Sequence, residues 1–406
     1  MELLAPAGNL EKLKWAVIYG ADAVYFGTRF GSLRNFAGNF SFDDAEAGLG
    51  FLHANGKKGY VALNIYPFPD EYEKIINTAR TLDEMGVDAF IVSDLGVLME
   101  LKKLGLNAAL HISTQANTTS FQTALAYKTL GAKRVNLARE LSLEQIQQIQ
   151  KHVRGKIETE VFINGAVCFS YSGRCAISDY LAGFQANRGE CKQACRWKYS
   201  VVEETRPGQY MPVFEDERGL YLFNTKELAL FEFVPALKEA GVDSIKIEGR
   251  MKSIHYIATA VSFYRQVLDG KKFAWEQGLK LLNRVHNRGY STGFLKGEID
   301  STDYQRETSK SQSTSVFVGN IIEQKSQGKC ILEIRNKIHA GEALEVLSPD
   351  GSLSTITLPS PLITTDNQHV KFANSSQFVL LEQDLKAYTI LRRLGNNRWA
   401  QSLIID

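Results

Sequence analysis

The 406-residue sequence has no apolar run that approaches the roughly 18 residues a membrane-spanning helix needs. Its first residues, MELLAPAGNLEKL, have an acid at Glu2 and form neither a basic leader nor a long apolar core. We therefore expect a cytoplasmic protein without membrane contact. The sequence also lacks H-E-x-x-H, G-x-S-x-G and a glycine-rich phosphate loop. Zinc-protease, serine-hydrolase and nucleotide-hydrolase interpretations therefore have no motif support.

Neither sign of charge is in strong excess. Lysine and arginine number 47 and aspartate and glutamate 45, which gives a formal net charge of +2. This balance neither supports nor excludes an RNA partner, so any contact with nucleic acid must come from a local basic patch. Hydrophobic residues make up 44% of the chain. That share is enough for a sizeable core distributed over two or three domains.

Cysteine is scarce, yet four of the five cysteines lie in the stretch from 160 to 199. Six, fifteen and three residues separate Cys168, Cys175, Cys191 and Cys195. In a reducing compartment, thiols clustered in this way are metal ligands or redox groups more often than disulfides. The irregular spacing favours an iron–sulfur cluster, while tetrahedral zinc and redox thiols stay open as alternatives. We expect Cys330 to be an ordinary buried thiol.

Short apolar runs alternate with segments of helical period along the first 270 residues. Glycine closes several of the helices just before the next strand. Eight such units match a (β/α)₈ barrel better than a doubly wound sheet, with a Cys-rich insertion after strand 7. The strand-helix pairs are 2–6 with 10–19, 23–26 with 42–54, 58–64 with 71–85, 88–93 with 96–104, 109–113 with 121–130, 134–138 with 143–152, 157–163 with 225–240, and 244–248 with 254–268.

The pattern changes after the barrel. A helix and a turn occupy 271–297, and a polar linker follows from 301 to 315. Short alternating runs separated by turn residues then predict a small C-terminal β-barrel domain, with strands at 316–322, 329–334, 342–347, 353–358 and 378–381. The predicted domains are 1–270 for the barrel, with the cluster insertion at 164–224, then 271–312 for the helix and linker, and 313–406 for the β-barrel.

The active site of such a barrel lies at the C-terminal ends of its strands. Polar residues at those positions are Arg34, Asn39, Asn64, Asp94, His111, Ser113, Thr114, Gln115, Arg139, Glu140, Glu160, Asn164, Glu248, Arg250 and Lys252. We expect catalytic roles for His111, Gln115 and Glu248. The expected substrate-binding residues are Arg34, Asn39, Arg139, Arg250 and Lys252, because converging guanidinium groups suit a substrate with two anionic groups. Glu160 lies inside a strand, so we expect it to be a buried partner of Arg or Lys.

Basic and aromatic residues alternate around the last two cysteines, including Trp197 and Tyr199. Such a mixture holds phosphates and stacks bases, although a solvated loop has the same composition. The candidate RNA-binding residues are Arg188, Lys192, Arg196 and Lys198.

The cysteine segment resembles the signature of peptidase family U32, the collagenase-like peptidases. The similar positions are Glu160, Phe162, Gly165, Ala166 and Cys168, then Gly173, Cys175, Ile177 and Ser178, then Asn187, Arg188, Gly189, Cys191, Cys195 and Arg196. The resemblance continues in LLAPAGNLEKLKWAVIYGADAVYFG from residue 3, HISTQANTTS at 111–120, RELSLEQI at 139–146 and KIEGRMKS at 246–253. It therefore covers the whole barrel.

The resemblance implies iron–sulfur proteins that take part in hydroxylation without a known requirement for oxygen. Their targets are the wobble uridine of tRNA, a ribosomal RNA cytidine and the ubiquinone ring. The small β domain is similar to the tRNA branch, which makes 5-hydroxyuridine with the dicarboxylate prephenate. By the family's motif, Cys168, Cys175, Cys191 and Cys195 would hold a 4Fe-4S cluster. The expected partners are the tRNA anticodon arm and prephenate as co-substrate. The alternatives are a collagenase-like peptidase and a non-catalytic RNA-binding protein with structural zinc.

Overall fold

The computed structural model describes residues 1–32, 39–168, 170–175, 177–188, 190–191, 194–196, 215–216, 219–220, 225–297, 303 and 311–395. Arg34, Lys192 and Lys198 lie outside the described residues, and at Arg188 and Arg196 the backbone alone is described. The chain divides into two compact units. One contains Met1–Val17, Ala21–Lys252 and Arg288–Ser311, and the other contains Ile18–Gly20, Ser253–Asn287 and Gln312–Asp406.

Within the described part of the first unit, eight parallel strands close into a barrel. The strands of this unit are β1 (Glu2–Pro6), β2 (Ala23–Phe26), β3 (Lys58–Leu63), β4 (Ala89–Val92), β5 (Ala109–Ile112), β6 (Arg134–Asn136), β7 (Glu158–Ala166), β8 (Glu215–Asp216), β9 (Gly219–Leu220), β10 (Glu227–Ala229), β11 (Ser244–Ile247) and β12 (Tyr290–Ser291). The barrel runs from β1 to β7 in order, and β11 closes it by pairing with both β1 and β7. Strands β2, β4 and β11 are buried at every position, as expected for a parallel sheet covered on both faces.

Helices follow the strands, and the sequence predicts all of them except the short one directly after β7. They are α1 (Leu10–Ile18), α2 (Phe42–Ala54), α3 (Tyr72–Glu84), α4 (Leu95–Lys103), α5 (Phe121–Thr129), α6 (Leu143–Val153), α7 (Ile177–Ala182) and α8 (Val234–Ala240). Ser41 and Ser142 start α2 and α6 with capping boxes. The predicted glycine ends are confirmed: Gly20, Gly86, Gly131 and Gly241 all have positive φ, the left-handed conformation that glycine adopts without strain.

The segment 225–240 differs from the single helix predicted for it. Its first part is β10, which runs antiparallel to β7 with Leu228 opposite Gly165 and also pairs with β12. The helix begins at Val234, with Pro235 in its first turn. Proline fits a first turn because its missing N–H has no intrahelical acceptor there, but it interrupts a helix interior. The predicted helix therefore began too early, because the short strand β10 precedes it.

Charged side chains fill the barrel interior near the start of its strands. Glu160 accepts from Arg134 Nη1 at 3.3 Å and from Lys246 Nζ at 3.0 Å, and all three side chains are buried. Arg134 also bonds Glu2 and Glu158. The prediction that Glu160 is a buried partner of Arg or Lys is confirmed. Because each charge has an opposite partner, the network avoids the large penalty of an isolated buried ion.

The second unit contains two helices, α9 (Ile254–Leu268) and α10 (Trp275–Leu282), and an antiparallel β domain. Its strands are β13 (Ser315–Lys325), β14 (Lys329–Ile334), β15 (Ile338–His339), β16 (Ala343–Leu347), β17 (Leu353–Thr357), β18 (Leu362–Thr364), β19 (His369–Val370), β20 (Phe372–Ala373), β21 (Phe378–Leu381) and β22 (Ile390–Leu394). One sheet has the order β17-β16-β22-β13-β14-β21-β18-β19, and β15 pairs with β20. The predicted fold class, a (β/α)₈ barrel followed by a small C-terminal β domain, is confirmed, and the paired strands of that domain are antiparallel.

Cys330 lies in the core of this β domain, among Val318, Leu332, Val379 and Leu391. Its side chain is fully buried, and burial raises the pKa of the thiol. The prediction of an ordinary buried thiol is confirmed. Over the described residues, no helix is both long enough and apolar enough to cross a membrane.

Candidate active site

A cavity of about 130 Å³ opens at the C-terminal ends of the barrel strands; we refer to it as the central cavity. Its walls include Tyr25 of β2, Ile91 of β4, Phe162 of β7 and Lys246 of β11. The residues that follow the strands complete it. The predicted site residues on its wall are Asn64, Ser113, Thr114, Gln115, Arg139, Glu248, Arg250, Cys168, Cys175, Cys191 and Cys195. Residues from separate stretches of the chain thus meet at the face where a parallel barrel places its chemistry.

The segment that carries the first two cysteines is fastened to the barrel at several points. Ser172 donates its backbone N–H to Glu140 Oε1 at 2.8 Å, and the Thr225 hydroxyl donates to the carbonyl of Val167 at 2.8 Å. Gly173 packs on the carbonyl of Gln115 so closely that a Cβ at this position would overlap it. These contacts hold the loop between Cys168 and Cys175 against the strand ends.

A second set of contacts connects the later cysteines to the same wall. Asn187 donates from Nδ2 to the carbonyl of Cys175 at 3.0 Å, and its own carbonyl accepts from Tyr66 N at 3.3 Å. The Ser178 hydroxyl lies 4.0 Å from Cys191 Sγ. The segment from Cys175 to Cys191 is therefore folded back on itself at the cavity wall.

The four cysteines have the donor chemistry that an iron–sulfur cluster requires, since thiolates are its usual ligands. Cys168 is exposed, and Cys175, Cys191 and Cys195 are half-buried, all on one cavity. Among the described residues, no group of three or more His, Cys, Asp or Glu side chains is arranged to hold a metal ion. The fit to a cluster therefore rests on the thiol set and the shared cavity, because the four sulfurs are not already gathered around one point.

Arg250 is the most deeply buried cation on the wall, with 3% of its surface exposed. It donates to the Ser32 hydroxyl and, at 2.5 Å, to Asn39 Oδ1. Gly27 lies directly against its guanidinium, and a side chain there would overlap it. Asn39 and Arg250 are both predicted substrate-binding residues. The fold brings them into contact although they are more than 200 positions apart in the chain.

Arg139 and Lys246 both lie close to the aromatic ring of Phe162. Arg139 Cζ lies 4.0 Å from the centroid of Phe162, and Lys246 Nζ lies 5.2 Å from it. Arg139 also donates to the carbonyl of Ala166 at 3.1 Å. Together with Arg250, these side chains put three cations on the wall, against the carboxylate of Glu248. The described lining is therefore suited to a small anion.

Glu248 is held by Tyr25, whose hydroxyl lies 2.9 Å from Oε2. Burial, and then the neighbouring Glu248 charge, raise the pKa of Tyr25 well above its usual range. The phenol therefore keeps its proton and donates a hydrogen bond to the carboxylate. Glu248 is thus positioned by a permanent donor, as an acid–base residue needs to be.

His111 and Lys252 lie away from the cavity wall. The His111 ring is buried inside the barrel, 4.9 Å from the ring of Tyr60, and its Nδ1 has no hydrogen-bond partner among the described residues. Burial and the nearby Arg134 and Lys246 charges lower the pKa of His111 well below its usual range, so the ring stays neutral. Lys252 instead donates to the buried Glu227 at 2.8 Å.

Other predicted residues bond within the scaffold. Asp94 caps α4 through Val97 N and accepts from Tyr72. Thr114 donates to the carbonyl of Leu137, and the Asn164 carbonyl accepts from Glu248 N. These contacts position the loops that follow the strands.

Sequence reasoning missed Lys246, Tyr25 and Phe162. Lys246 alternates with Ile245 and Ile247 in β11, and Glu248 directly follows the strand. A polar residue between two apolar ones in a barrel strand points into the barrel, and this period could have identified Lys246.

The model of Peptidase family U32 matches residues 8–305, and that of the Peptidase family U32 C-terminal domain matches 313–392. The chain belongs to peptidase family U32. A family U32 relative in Escherichia coli, strain K12, is named tRNA hydroxylation protein P; it is 35% identical over 398 residues, which cover 87% of each chain.

Two further family U32 relatives carry different names. A 23S rRNA 5-hydroxycytidine synthase of Escherichia coli is 38% identical over 270 residues, which cover 66% of this chain and 39% of that protein. A collagenase of Porphyromonas gingivalis is 28% identical over 366 residues, which cover 86% of each chain. The names of family U32 members thus include two RNA-hydroxylating activities and one peptidase.

Proposed function

We propose that this chain is an RNA-hydroxylating enzyme that converts the wobble uridine of tRNA to 5-hydroxyuridine in the cytoplasm. The relatives named for tRNA hydroxylation and for 23S rRNA hydroxycytidine synthesis support hydroxylation of RNA. The observation that carries the proposal is that all four cysteines share one cavity with Arg139, Arg250 and Glu248 at the barrel mouth.

Prephenate is the proposed hydroxyl source. Its two carboxylates match a wall that carries Arg139 and Arg250, whereas Lys246 on the same wall is paired with Glu160. Exchange of the hydrogen at C5 of uracil for the hydroxyl of a donor balances atoms and electrons without oxygen. The donor would leave with hydrogen in place of its hydroxyl.

The chain's own groups would position both reactants. Arg250, fixed by Ser32 and Asn39, and Arg139, stacked on Phe162, would bind the carboxylates. Glu248, held by Tyr25, would take the proton from C5. Cys168, Cys175, Cys191 and Cys195 would hold a 4Fe-4S cluster, which supplies electron transfer when bound.

Exposed basic residues around Phe372 in the β domain fit the proposed contact with the anticodon arm. His339 of β15 lies opposite Phe372 of β20, and Lys337 Nζ lies 4.1 Å from the centroid of the Phe372 ring. Lys337, His339 and Lys371 are exposed, and the Phe372 ring is 45% exposed. Exposed cations beside an aromatic ring bind phosphates and stack bases. Arg188, Lys192, Arg196 and Lys198 remain the candidates in the barrel unit.

Mass spectrometry of tRNA nucleosides tests the proposal. A host strain that lacks the gene should lose 5-hydroxyuridine-derived wobble nucleosides, and the wild-type gene should restore them. Peptidase activity is the alternative that the collagenase relative favours. Cleavage of denatured collagen by the purified protein, together with unchanged wobble nucleosides, would support it instead.

A further inference from the structure

A second, smaller cavity of about 120 Å³ adjoins the central cavity; we refer to it as the side cleft. The two share the residues Arg139, Val167, Cys168, Ser170 and Tyr171. The side cleft adds Glu140, Ser172 and Phe294. Its lining therefore combines two aromatic rings with one guanidinium, one carboxylate, two serine hydroxyls and the thiol of Cys168.

Tyr171 is unusually exposed for an aromatic residue at such a position. Its side chain is 66% exposed, the highest value among the large hydrophobic side chains that are exposed in the described chain. An exposed ring at a cavity rim is available to a ligand rather than to the core.

The backbone around Tyr171 is nevertheless firmly held. The carbonyl of Tyr171 accepts from Arg174 N at 3.0 Å, Ser172 N donates to Glu140 at 2.8 Å, and Gly173 packs on Gln115. The backbone that carries the ring is therefore held in place. A tyrosine side chain has few rotatable bonds, so it loses little entropy when a ligand stacks on it.

The second ring of the lining comes from a different part of the chain. Phe294 lies in a 3₁₀ turn at Gly293–Lys296, next to β12, and its ring is half-buried. It belongs to the same compact unit as Tyr171. Two rings on one narrow cleft suit a flat heterocycle, which stacks through its faces and bonds through its edge.

We propose that the side cleft is the subsite for the target nucleobase, a pyrimidine that stacks on Tyr171. This inference rests on the proposed function and names the place of its RNA substrate. The guanidinium of Arg139 can donate to the carbonyl oxygens of a uracil, and the carboxylate of Glu140 can accept from its N3–H. Because Arg139 lines both cavities, a base in the side cleft and an anion in the central cavity would be adjacent.

The test uses the full-length protein, purified without oxygen, and an RNA hairpin that carries 5-bromouridine at the wobble position. Irradiation crosslinks this base to aromatic side chains that touch it, and peptide mass spectrometry locates the crosslink. We expect it at Tyr171. A crosslink that maps outside the side cleft would overturn the inference.

Affinity for the unmodified hairpin provides the second measurement. Loss of one base stack is worth about 1–3 kcal/mol, so Tyr171→Ala should weaken binding roughly fivefold or more. Tyr171→Phe keeps the ring and should bind as the wild type does. Phe68→Ala removes another exposed ring of the barrel unit, one that lines neither cavity, and should leave affinity unchanged.

The two proposals fail in different ways. If the wild-type protein neither binds the hairpin nor hydroxylates tRNA, the proposed function fails. If it binds and hydroxylates while Tyr171→Ala has wild-type affinity, the nucleobase subsite alone fails. Competition for the hairpin by a denatured collagen peptide, with the crosslink at Tyr171 suppressed, would assign the cleft to peptides and also overturn the inference.

Discussion

Gly173 lies in direct contact with the carbonyl of Gln115, and this contact seats the cysteine segment on the barrel. A side chain at residue 173 would overlap the Gln115 carbonyl and the carbon that bears it. Gly173 also has a φ of 72°, in the left-handed region that glycine adopts without strain. Glycine is therefore required here for two independent reasons. The turn that carries Gln115 thus sets the position of the loop between Cys168 and Cys175.

Gly173→Ala should disable the site. The new Cβ must displace the Gln115 carbonyl, in addition to backbone strain on the order of 1–3 kcal/mol. We expect loss of RNA hydroxylation and of cluster incorporation, measured by nucleoside mass spectrometry and iron content. Gly183→Ala is the matched control, since Gly183 has a φ of 67° but no atom near its added Cβ. Equal effects from the two variants would contradict the role given to this contact.

The four cysteines on the central cavity should be needed together. Substitution of Cys168, Cys175, Cys191 or Cys195 by Ser should remove the visible absorption of an iron–sulfur cluster and lower hydroxylation more than about tenfold. Cys330→Ala removes a thiol from the β-domain core, so the absorption should remain. A colourless wild-type protein with stoichiometric zinc would contradict the cluster assignment.

Arg139 should contribute to binding of the dianion. Arg139→Ala removes charge-assisted hydrogen bonds worth about 1.5–3 kcal/mol, so affinity for prephenate should fall roughly tenfold or more. Isothermal titration calorimetry gives the affinity, and a melting curve checks the fold. The control is Arg80→Ala, on the exposed face of α3. Unchanged prephenate affinity in Arg139→Ala would remove this residue from the anion site.

His111 should make the barrel sensitive to acid. Burial holds its pKa in the folded state well below 6.5, its ordinary value, so below about pH 6.5 the unfolded chain binds a proton that the folded chain does not. Stability contributed by neutral His111 is therefore present above that pH and is lost as pH falls. One such proton corresponds to a slope of about 1.4 kcal/mol per pH unit. His111→Phe should flatten the slope of unfolding free energy against pH between 6.5 and 5. An unchanged slope would contradict this.

The barrel was predictable because its signals are local and repeated. Each strand is followed by a helix, and glycines such as Gly20 and Gly131 mark the helix ends. The convergence of Gln115, Arg139, Glu248 and the cysteines then follows from topology, since the ends of parallel strands meet on one face. Sequence reasoning therefore identified the four cysteines and three of the four charged residues on the described wall of the central cavity.

The remaining features depend on partners that are distant in the chain. Arg250 is held by Ser32 and Asn39, and β10 exists because it pairs with β7. Strands such as β15 and β20 have two residues each, too few for a periodic pattern. The position of His111 at a strand end predicted a catalytic role. Its side chain is instead buried beside Tyr60, and this placement depends on how the barrel interior packs.

Nucleoside mass spectrometry of tRNA tests the central claim most directly. The host strain without its own gene would be complemented with the wild type, with Cys191→Ser or with Cys330→Ala. The wild type and Cys330→Ala should restore 5-hydroxyuridine-derived nucleosides at the wobble position, and Cys191→Ser should not. Restoration by Cys191→Ser to the wild-type level, or no restoration by a stably expressed wild type, would contradict a tRNA hydroxylase that works through the cysteine-lined cavity.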